Sequence, residues 1–560
     1  MAATVWEALA RGKTAIVEAG TGTGKSLAYL YPGLVHARLA GRPLVVSTNT
    51  INLQEQLWEK DIPALAGLVN PPPRAVLLLG RGNYLCRRRL NLPAAWGGLL
   101  DERLQAAILR AAEEGRGERP RLGFSVPEEV WARVASDGQI CLRQYCPWYE
   151  TCFWHTARRA AATAEIVLVN HHLLLADAVI RRSLGWKTER AVLPPYNWVI
   201  FDEAHHLEEI ATEHLARRID GPRFHRLLDL LHRPGGHEPA GVLARCLLGL
   251  ATGGPVPEQA RLAEARSLAA EALQAVERLR ARSGPFFALL ASFAREGNQN
   301  GSSRQRRYRG DLGLEIKGFA EETADLLVLL GELVNLLSRL LSRWEADPET
   351  PKTEEGLLLK AALEGFLALQ DDLPMVLAGE NANNVYWVET TPDHEEETAA
   401  VMAPLEVGPL LYETLFAHLH SAVFASATLT TGGGFAFFRE RLGLDLVHPV
   451  DRLEIVLPSP FDYRHQVLLA VPRDLPEPDE TAFPTAAALF LRELLTVVGG
   501  RTLILFTSYA TMEKVASLLR SSLPSGLSLR QQGERPRGDL LAELRGGEGG
   551  VLCGTDSFWE

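Results

Sequence analysis

The sequence predicts an α/β fold of two lobes, each built on a parallel sheet, with two insertions in the first lobe. Apolar runs typical of buried strands occur at 14–18, 197–201 and 501–508, and each ends in a polar or acidic turn. The first run leads into a glycine-rich loop and then a helical pattern, which is the order of a phosphate-binding α/β unit. Long intervals separate the runs, and strands that share a compact sheet have short connections, so inserted domains are expected.

Composition limits the class of protein. The chain has 560 residues, enough for three or four domains, and its 46% hydrophobic and 23% charged residues are typical of a globular protein. The sequence has no secretory signal pattern and no apolar run of membrane-spanning length, which predicts a cytoplasmic protein without a membrane partner. The net charge of -11 does not exclude nucleic acid, because phosphate binding depends on local basic surface.

The glycine-rich loop is the first candidate site. Its predicted ATP- and magnesium-binding residues are Gly20, Thr21, Gly22, Thr23, Gly24, Lys25 and Ser26. Glycines allow backbone N–H groups to turn toward phosphates. Lys25 would contact the β- and γ-phosphates, and Ser26 would hold Mg²⁺. The alternative is a glycine-rich turn that opens an ordinary helix.

An acidic pair supplies the second half of this site. Asp202 and Glu203 end the apolar run 197–201, and carboxylates at the carboxyl end of a parallel strand face the ligand crevice. We expect Asp202 to bind Mg²⁺ through water and Glu203 to position or deprotonate the attacking water. With Lys25 these are the predicted catalytic residues. The alternative is a pair of acids that begin a helix, where they suit its dipole.

Other strand ends carry polar groups. Ser47, Thr48, Asn49 and Thr50 end an apolar run and precede a helical pattern, which favours contacts to a DNA backbone. The alternative for this turn is a helix N-cap, which Thr50 is also expected to provide. Residues that would couple the two lobes follow similar runs; they are His205, Ser426, Thr428, Gly554 and Thr555. For the 423–429 run, an ordinary strand end is the alternative.

These segments resemble a known set of motifs. In chain order, VEAGTGTGKS, STNT with LQEQL, DEAH, SATL, LILFTS and VLCGTDSFWE resemble motifs I, Ia, II, III, IV and V of the XPD/DinG family of superfamily 2 iron–sulfur helicases, in its DinG branch. The resemblance spans essentially the whole chain. It implies an ATP hydrolase and DNA helicase that moves 5′→3′ on single-stranded DNA as a monomer, in DNA repair or replication. The implied substrates are forked or 5′-tailed duplexes.

The resemblance also implies a domain plan with two RecA-like motor domains. The predicted ranges are 1–75, 165–215 and 385–430 for motor domain 1, 76–164 for an iron–sulfur domain, 216–384 for an all-helical arch domain, and 431–560 for motor domain 2. Leucine- and alanine-rich helical periodicity predicts a helical domain in this range, and the resemblance implies that it is the arch. Within it, the polar basic stretch 296–310 is expected to be a solvated loop, with a DNA contact as the alternative, and 385–409 is expected to be a hairpin that returns to the motor.

The cysteines indicate a metal site. Cys86 is distant in sequence from the clustered Cys141, Cys146 and Cys152, whereas structural zinc sites usually have two close pairs. A [4Fe–4S] cluster bound by these four thiolates suits the spacing better, with zinc or free thiols as the alternatives. The resemblance agrees, because DinG-type helicases place four cluster cysteines in this region.

Arginines and aromatic residues surround the cysteines, a mixture that fits single-strand binding because arginines pair with phosphates and rings stack on bases. Arg87 and Arg88 are the predicted DNA contacts. The alternative is that the aromatic rings pack a small domain and the arginines are solvated.

The chain is expected to be incomplete relative to the family pattern. Glu560 lies within motif V, and the paired arginines of motif VI would follow it. A short adenine-reading segment with a glutamine would precede residue 1. Because an arginine finger contributes about 10³–10⁵ in rate, slow ATP hydrolysis is expected.

Two other functions fit the same motifs. The first is an ATP-switched, redox-responsive protein that binds single-stranded nucleic acid without productive unwinding; it would bind strands tightly without DNA-stimulated hydrolysis. The second is a translocase or RNA motor that never separates DNA duplexes, which substrate competition would distinguish.

Overall fold

A computed structural model of the chain describes residues 1–91, 101–138, 140–186, 188, 191–234, 241–249, 256–300, 303–344, 353–391, 394–478, 480–535, 537–547, 549–555 and 558. Within these ranges the strands form three sheets. No helix in the same ranges is both long and apolar enough to span a bilayer.

The first sheet is parallel, with described strands in the order β12-β1-β11-β5-β2-β4-β3. Its bounds are Thr14–Ala19 (β1), Leu44–Thr48 (β2), Ala75–Leu77 (β3), Ile166–Asn170 (β4), Trp198–Asp202 (β5), Ser421–Ser426 (β11) and Arg452–Leu457 (β12). Its central strands are apolar throughout because helices cover both faces, as in other parallel sheets. Ile16, Ile200 and Phe424 are fully buried in this core.

Helices pack around this sheet and lead into the cysteine region. They are Ala2–Arg11, Lys25–Ala40, Ile51–Gln56, the π-turn Leu57–Asp61, Ile62–Ala66, Arg87–Leu90, Glu102–Glu113, Glu128–Val134, Phe153–Ala162, His171–Leu184, Leu207–Leu215, Gly408–Thr414 and Ala436–Leu442. Short 3₁₀ turns occur at Arg81–Asn83, Arg119–Arg121, Arg143–Tyr145, Ala204–His206, Phe416–His418, Leu444–Leu446 and Pro449–Asp451.

The first sheet extends beyond the predicted boundary at 430. β12 pairs in parallel with β1 along its length, from Thr14 opposite Arg452 to Ala19 opposite Leu457. Residues up to Leu457 therefore belong with the first lobe. The sequence places this strand in the second lobe because an edge strand carries no sign of which sheet it joins.

The arch is not all-helical, which corrects the prediction. Among described residues it contains an antiparallel sheet in the order β6-β10-β9-β8-β7. The strands are Arg217–Asp220 (β6), Asn298–Asn300 (β7), Ser303–Tyr308 (β8), Asn384–Thr391 (β9) and His394–Pro404 (β10). The stretch predicted as a solvated loop supplies β7 and β8. Its polar residues lack the apolar alternation of a strand, and pairing with β9 supplies the hydrogen bonds instead.

The hairpin prediction for 385–409 is confirmed by the antiparallel pairing of β9 with β10. This hairpin pairs with β6 and β8 and so joins the arch sheet, whereas the prediction grouped it with the motor. The arch helices are Gly221–Leu231, Val242–Gly249, Val256–Arg295, Leu312–Glu315, Phe319–Trp344 and Glu354–Ala378. They enclose a separate core that includes Phe224, Phe286 and Phe366.

The second lobe carries a parallel sheet whose described strands follow the order β13-β15-β14. The strands are Thr502–Leu505 (β13), Ser528–Gln531 (β14) and Gly550–Gly554 (β15), and the helices are Tyr463–Gln466, Phe483–Val498, Tyr509–Ser522 and Arg537–Gly546. The predicted strand run at 501–508 supplies β13, and β15 includes the start of the VLCGTDSFWE motif. Both lobes are therefore α/β units with parallel sheets, as predicted.

Candidate functional site

The glycine loop joins β1 to the helix Lys25–Ala40, which confirms the predicted strand–loop–helix order. Gly22 has φ 82° and Gly24 has φ 72°, conformations that side chains with a Cβ rarely adopt. The Thr23 hydroxyl donates to the Gly20 carbonyl over 2.8 Å and braces the loop from within. These positive φ angles turn the loop backbone into a tight curve at the N-terminus of a helix, where anions are favoured.

The acidic pair lies beside this loop. β11 lies between β1 and β5, so the carboxyl ends of the three strands meet at one edge of the sheet. Lys25 Nζ donates to Glu203 Oε1 over 2.6 Å and lies 3.9 Å from Asp202 Oδ1. Glu203 has φ 51°, a strained conformation for a residue other than glycine, and such strain concentrates at functional sites.

Asp202 is almost fully buried, and burial raises its pKa to about 7; Lys25 opposes this shift, and the Glu203 charge adds to it. Its Oδ1 atom has no hydrogen-bond partner, although buried polar atoms normally have one. A buried carboxylate oxygen without a hydrogen-bond partner, beside the glycine loop, fits a magnesium ion with its bound water.

Three of the predicted coupling residues, His205, Ser426 and Thr428, are linked to the acidic pair by hydrogen bonds. Ser426, buried at the end of β11, donates to Glu203 Oε2 over 3.3 Å. The same hydroxyl lies 2.7 Å from His205 Nδ1 and accepts from the Thr428 backbone N–H at 3.3 Å. The predicted residues Lys25, Glu203, Ser426 and His205 are thus joined in one hydrogen-bonded chain.

Glu18 is a residue that sequence reasoning missed. Its carboxylate accepts hydrogen bonds from the backbone N–H groups of Leu429 and Thr430, at 2.7 and 2.6 Å, and from the Thr430 hydroxyl. Burial opposes ionisation, but these bonds lower the pKa of Glu18 overall. It fixes the segment after Ser426 to the strand before the loop. An acid inside an apolar strand run was the available signal, since such a group requires partners.

A second missed element lies on the glycine loop itself. Ser459 donates to the Thr21 carbonyl over 2.8 Å, and the Tyr463 and Thr21 hydroxyls are 2.7 Å apart. A Cβ built on Gly22 would lie 2.4 Å from the Phe461 ring. The segment that leads from β12 to the second lobe therefore contacts the loop directly. Its residues show no pattern that would have predicted this long-range contact.

The predicted DNA contacts of Ser47 and Thr48 need correction. Both side chains are fully buried at the end of β2, so neither can reach a strand in this conformation. The Ser47 hydroxyl is hydrogen-bonded to His171 Nδ1 at 2.7 Å. The predicted N-cap is confirmed, because Thr50 Oγ1 accepts from the Leu53 N–H. Asn49 and Thr50 are partly exposed, and their contact with DNA stays a prediction.

The cysteine region brings all four predicted ligands to one cavity. Cys86, Cys141, Cys146 and Cys152 line it and are half-buried. Burial raises the pKa of Cys146 and Cys152, and the nearby Cys86 and Cys141 raise both further. Within the described ranges, no three His, Cys, Asp or Glu side chains converge closely enough to hold a single metal ion.

The two predicted DNA-binding arginines have partners inside the protein. Arg87 donates to the Thr151 and Ala112 carbonyls, and its guanidinium lies 4.3 Å from the Phe153 ring centroid. Arg88 is buried and donates to Glu354, at the start of an arch helix, and to the Ile140 carbonyl. Both therefore stabilise the cysteine region in this conformation. Nothing in their local sequence distinguishes such a role from phosphate binding.

The remaining coupling residues lie in the second lobe. Gly554 ends β15, and Thr555 donates through both its backbone N–H and its hydroxyl to Gln532 Oε1. Thr555 is hydrogen-bonded within the second lobe, so its role in coupling the two lobes stays a prediction.

Two family models match parts of this chain. The DEAD_2 model matches residues 139–222, and a model described as a helicase C-terminal domain matches residues 491–560. The first covers the acidic pair and the three clustered cysteines. The second covers the parallel sheet of the second lobe.

Curated relatives match the chain from end to end. The ATP-dependent DNA helicase YoaA of Escherichia coli is 30% identical over 565 residues, which cover 100% of this chain and 78% of that protein. The ATP-dependent helicase DinG of Mycobacterium tuberculosis is 30% identical over 584 residues, with the same coverage. A solved structure titled XPD_Helicase aligns over 99% of this chain and 79% of its own at 12% identity, with a TM-score of 0.44.

Identity at this level along the whole chain, together with the glycine loop and acidic pair at one sheet edge, places the protein among known motors. The chain belongs to the DinG/YoaA family of ATP-dependent DNA helicases.

Proposed function

We propose that this chain hydrolyses ATP at the site formed by Lys25, Asp202 and Glu203 and uses it to move along single-stranded DNA and separate duplexes. Membership of the helicase family supports the activity. The observation that carries the site assignment is the chain of hydrogen bonds from Lys25 through Glu203 to Ser426 and His205. These hydrogen bonds link the loop after β1 to the ends of β5 and β11. The four side chains would therefore lie around the phosphates of a bound ATP.

In the proposed reaction, the backbone N–H groups of the loop and Lys25 bind the ATP phosphates. Ser26 and Asp202 would hold Mg²⁺, which would neutralise charge on the phosphates. Glu203 accepts the proton of the attacking water, and Ser426 orients that carboxylate through its hydrogen bond to Oε2. Lys25 leaves Glu203 for the phosphates, which frees the carboxylate to act as a base.

The raised pKa of Asp202 predicts a pH dependence of nucleotide binding. The carboxyl group binds Mg²⁺ only when ionised, and burial holds its pKa at about 7. The affinity for Mg²⁺–nucleotide should therefore increase as pH rises between about pH 6 and 8 and then level off. Titration of a fluorescent ATP analogue across this range checks it. Asp202→Asn should remove the pH-dependent step; a step that persists in this variant contradicts the assignment.

We propose that the four cysteines hold a [4Fe–4S] cluster. Each cysteine of such a cluster binds a different iron atom, so the sulfur atoms surround a cavity and do not converge on one point. All four cysteines line one cavity, which supports a cluster held between them, whereas a zinc site would require all four sulfurs about 2.3 Å from one ion. Burial and the neighbouring Cys86 and Cys141 raise the pKa of Cys146 and Cys152, so these thiols would lose their protons only where a positively charged metal centre stabilises the thiolates.

Iron and acid-labile sulfide measured on anaerobically purified protein test the cluster. About four of each per chain are expected. Cys146→Ser should lower both, whereas Cys246→Ser, in the buried core of the arch, should lower neither. Zinc in place of iron, or equal loss in both variants, would rule the cluster out. A folded Cys146→Ser protein, checked by circular dichroism, keeps the comparison valid.

We further propose 5′→3′ movement by a monomer in the cytoplasm, on forked or 5′-tailed DNA, in repair or replication. The sequence resemblance supports this direction. Unwinding of duplexes with a 5′ tail, a 3′ tail or blunt ends tests it under single-turnover conditions. Preference for the 5′ tail is expected. Preference for the 3′ tail refutes the direction, and strand binding without ATP-dependent unwinding of any substrate refutes the helicase proposal.

A further inference from the structure

Two consecutive histidines begin the helix that follows β4. The Asn170 side chain caps this helix by accepting from the Leu173 N–H at 2.9 Å, so its first turn is held in place. His171 and His172 then project from that turn in different directions, one into the core and one to the surface. None of the roles assigned above to the ATP site uses them.

His171 is bound to the end of β2. Its Nδ1 atom lies 2.7 Å from the Ser47 hydroxyl, and both side chains are fully buried. Burial lowers the pKa of His171 to about 3, so the imidazole is neutral and the bond needs no counter-charge. Burying a hydroxyl costs free energy unless a partner such as His171 replaces its hydrogen bond to water.

The bond lies beside the acidic pair. Ser47 is opposite Phe201 in the pairing of β2 with β5, and Phe201 directly precedes Asp202. The His171 ring centroid is 6.2 Å from that of Phe201. His171 therefore crosses from the helix after β4 over the end of β2 and packs against the strand that carries Asp202.

The second histidine reaches the helix that follows the acidic pair. His172 Nδ1 lies 3.3 Å from His214 Nε2, and His214 belongs to the helix Leu207–Leu215. The two helices also pack against each other. The first turn of the helix His171–Leu184 therefore contacts the end of β2 through His171. Through His172 it contacts the helix Leu207–Leu215, which follows the acidic pair.

We propose that His171 is a positioning residue that transmits strand binding at the turn after β2 to the ATP site. The inference rests on the proposed function and on the predicted contacts of Asn49 and Thr50, at that turn, with DNA. A shift of the β2 end moves Ser47, and the buried bond passes this shift to His171 and to the helix turn behind the acidic pair. Coupling between sites requires such a contiguous packed connection between two elements.

The test compares ATP hydrolysis by the full chain with and without single-stranded oligothymidylate. His171→Phe keeps a buried ring but removes the bond to Ser47. His171→Asn is the matched control, because its amide can occupy the place of Nδ1 and keep that bond. His171→Phe should lower the stimulation by DNA about tenfold and leave the DNA-free rate unchanged, whereas His171→Asn should retain stimulation.

A double-mutant cycle with Ser47→Ala assigns the effect to the bond. Ser47→Ala should lower the stimulation by DNA as much as His171→Phe does. The double variant should lower it no further, because both substitutions remove the same hydrogen bond. Unchanged stimulation in His171→Phe overturns the inference, as does an equal fall of the stimulated and DNA-free rates, which indicates a structural role. If the wild-type chain shows no stimulation by DNA, the proposed function fails first and this inference with it.

Discussion

Replacing Glu203 by glutamine is expected to lower the rate of ATP hydrolysis about 10²–10⁴-fold, the usual contribution of a general base. Glutamine keeps the shape of the side chain and can still bond to Ser426, but it cannot take a proton from water. Nucleotide affinity should change little, because the phosphates are bound by the loop and Lys25. Steady-state hydrolysis and titration of a fluorescent ATP analogue separate the two effects.

Glu209→Gln provides the matched control. Glu209 is an exposed carboxylate on the helix Leu207–Leu215, close in sequence to the acidic pair. Its hydrolysis rate should equal that of the wild type. If Glu203→Gln retains more than one tenth of the wild-type rate, Glu203 is not the base.

Lys25→Ala is expected to weaken nucleotide binding by about 2–5 kcal/mol, the cost of removing one member of a buried charge pair. Two effects combine in this change. The phosphates lose their cation, and Asp202 loses the neighbour that lowers its pKa. The carboxyl group of Asp202 should then remain protonated to a higher pH and bind Mg²⁺ less well. Equilibrium titration with the fluorescent analogue at two pH values measures both effects.

Lys317→Ala, at an exposed lysine of the arch, should bind nucleotide like the wild type. Wild-type affinity in Lys25→Ala would mean that the loop does not hold the phosphates. Thermal unfolding of each variant without nucleotide establishes that the comparison is between folded proteins.

The proposed ATP site was the most predictable part of the molecule. Its residues follow strands directly, and the ends of parallel strands meet at one edge of a sheet, so a local pattern is sufficient to place Lys25 and Glu203 together. The prediction for Ser47 failed for a related reason. A polar residue at a strand end looks the same whether it faces solvent or a buried partner, and His171 is far away in sequence.

The arch shows a different limit. Leucine periodicity identified its long helices, because each helix carries its own apolar stripe. Its sheet was missed because β6, β7 and β8 are short or polar, and their stability depends on pairing with β9 and β10. Strand stability depends on neighbours more than helix stability does.

The sequence by itself determined the α/β class, the glycine loop, the acidic pair and the four cysteines, since each depends on a short local pattern or a spacing. Only the tertiary structure decided which sheet β12 joins, that Glu18 binds the segment at Leu429, and that Arg88 pairs with Glu354. It also placed Phe461 on the glycine loop. These are contacts between distant parts of the chain, and their energy comes from burial and pairing that no single segment contains.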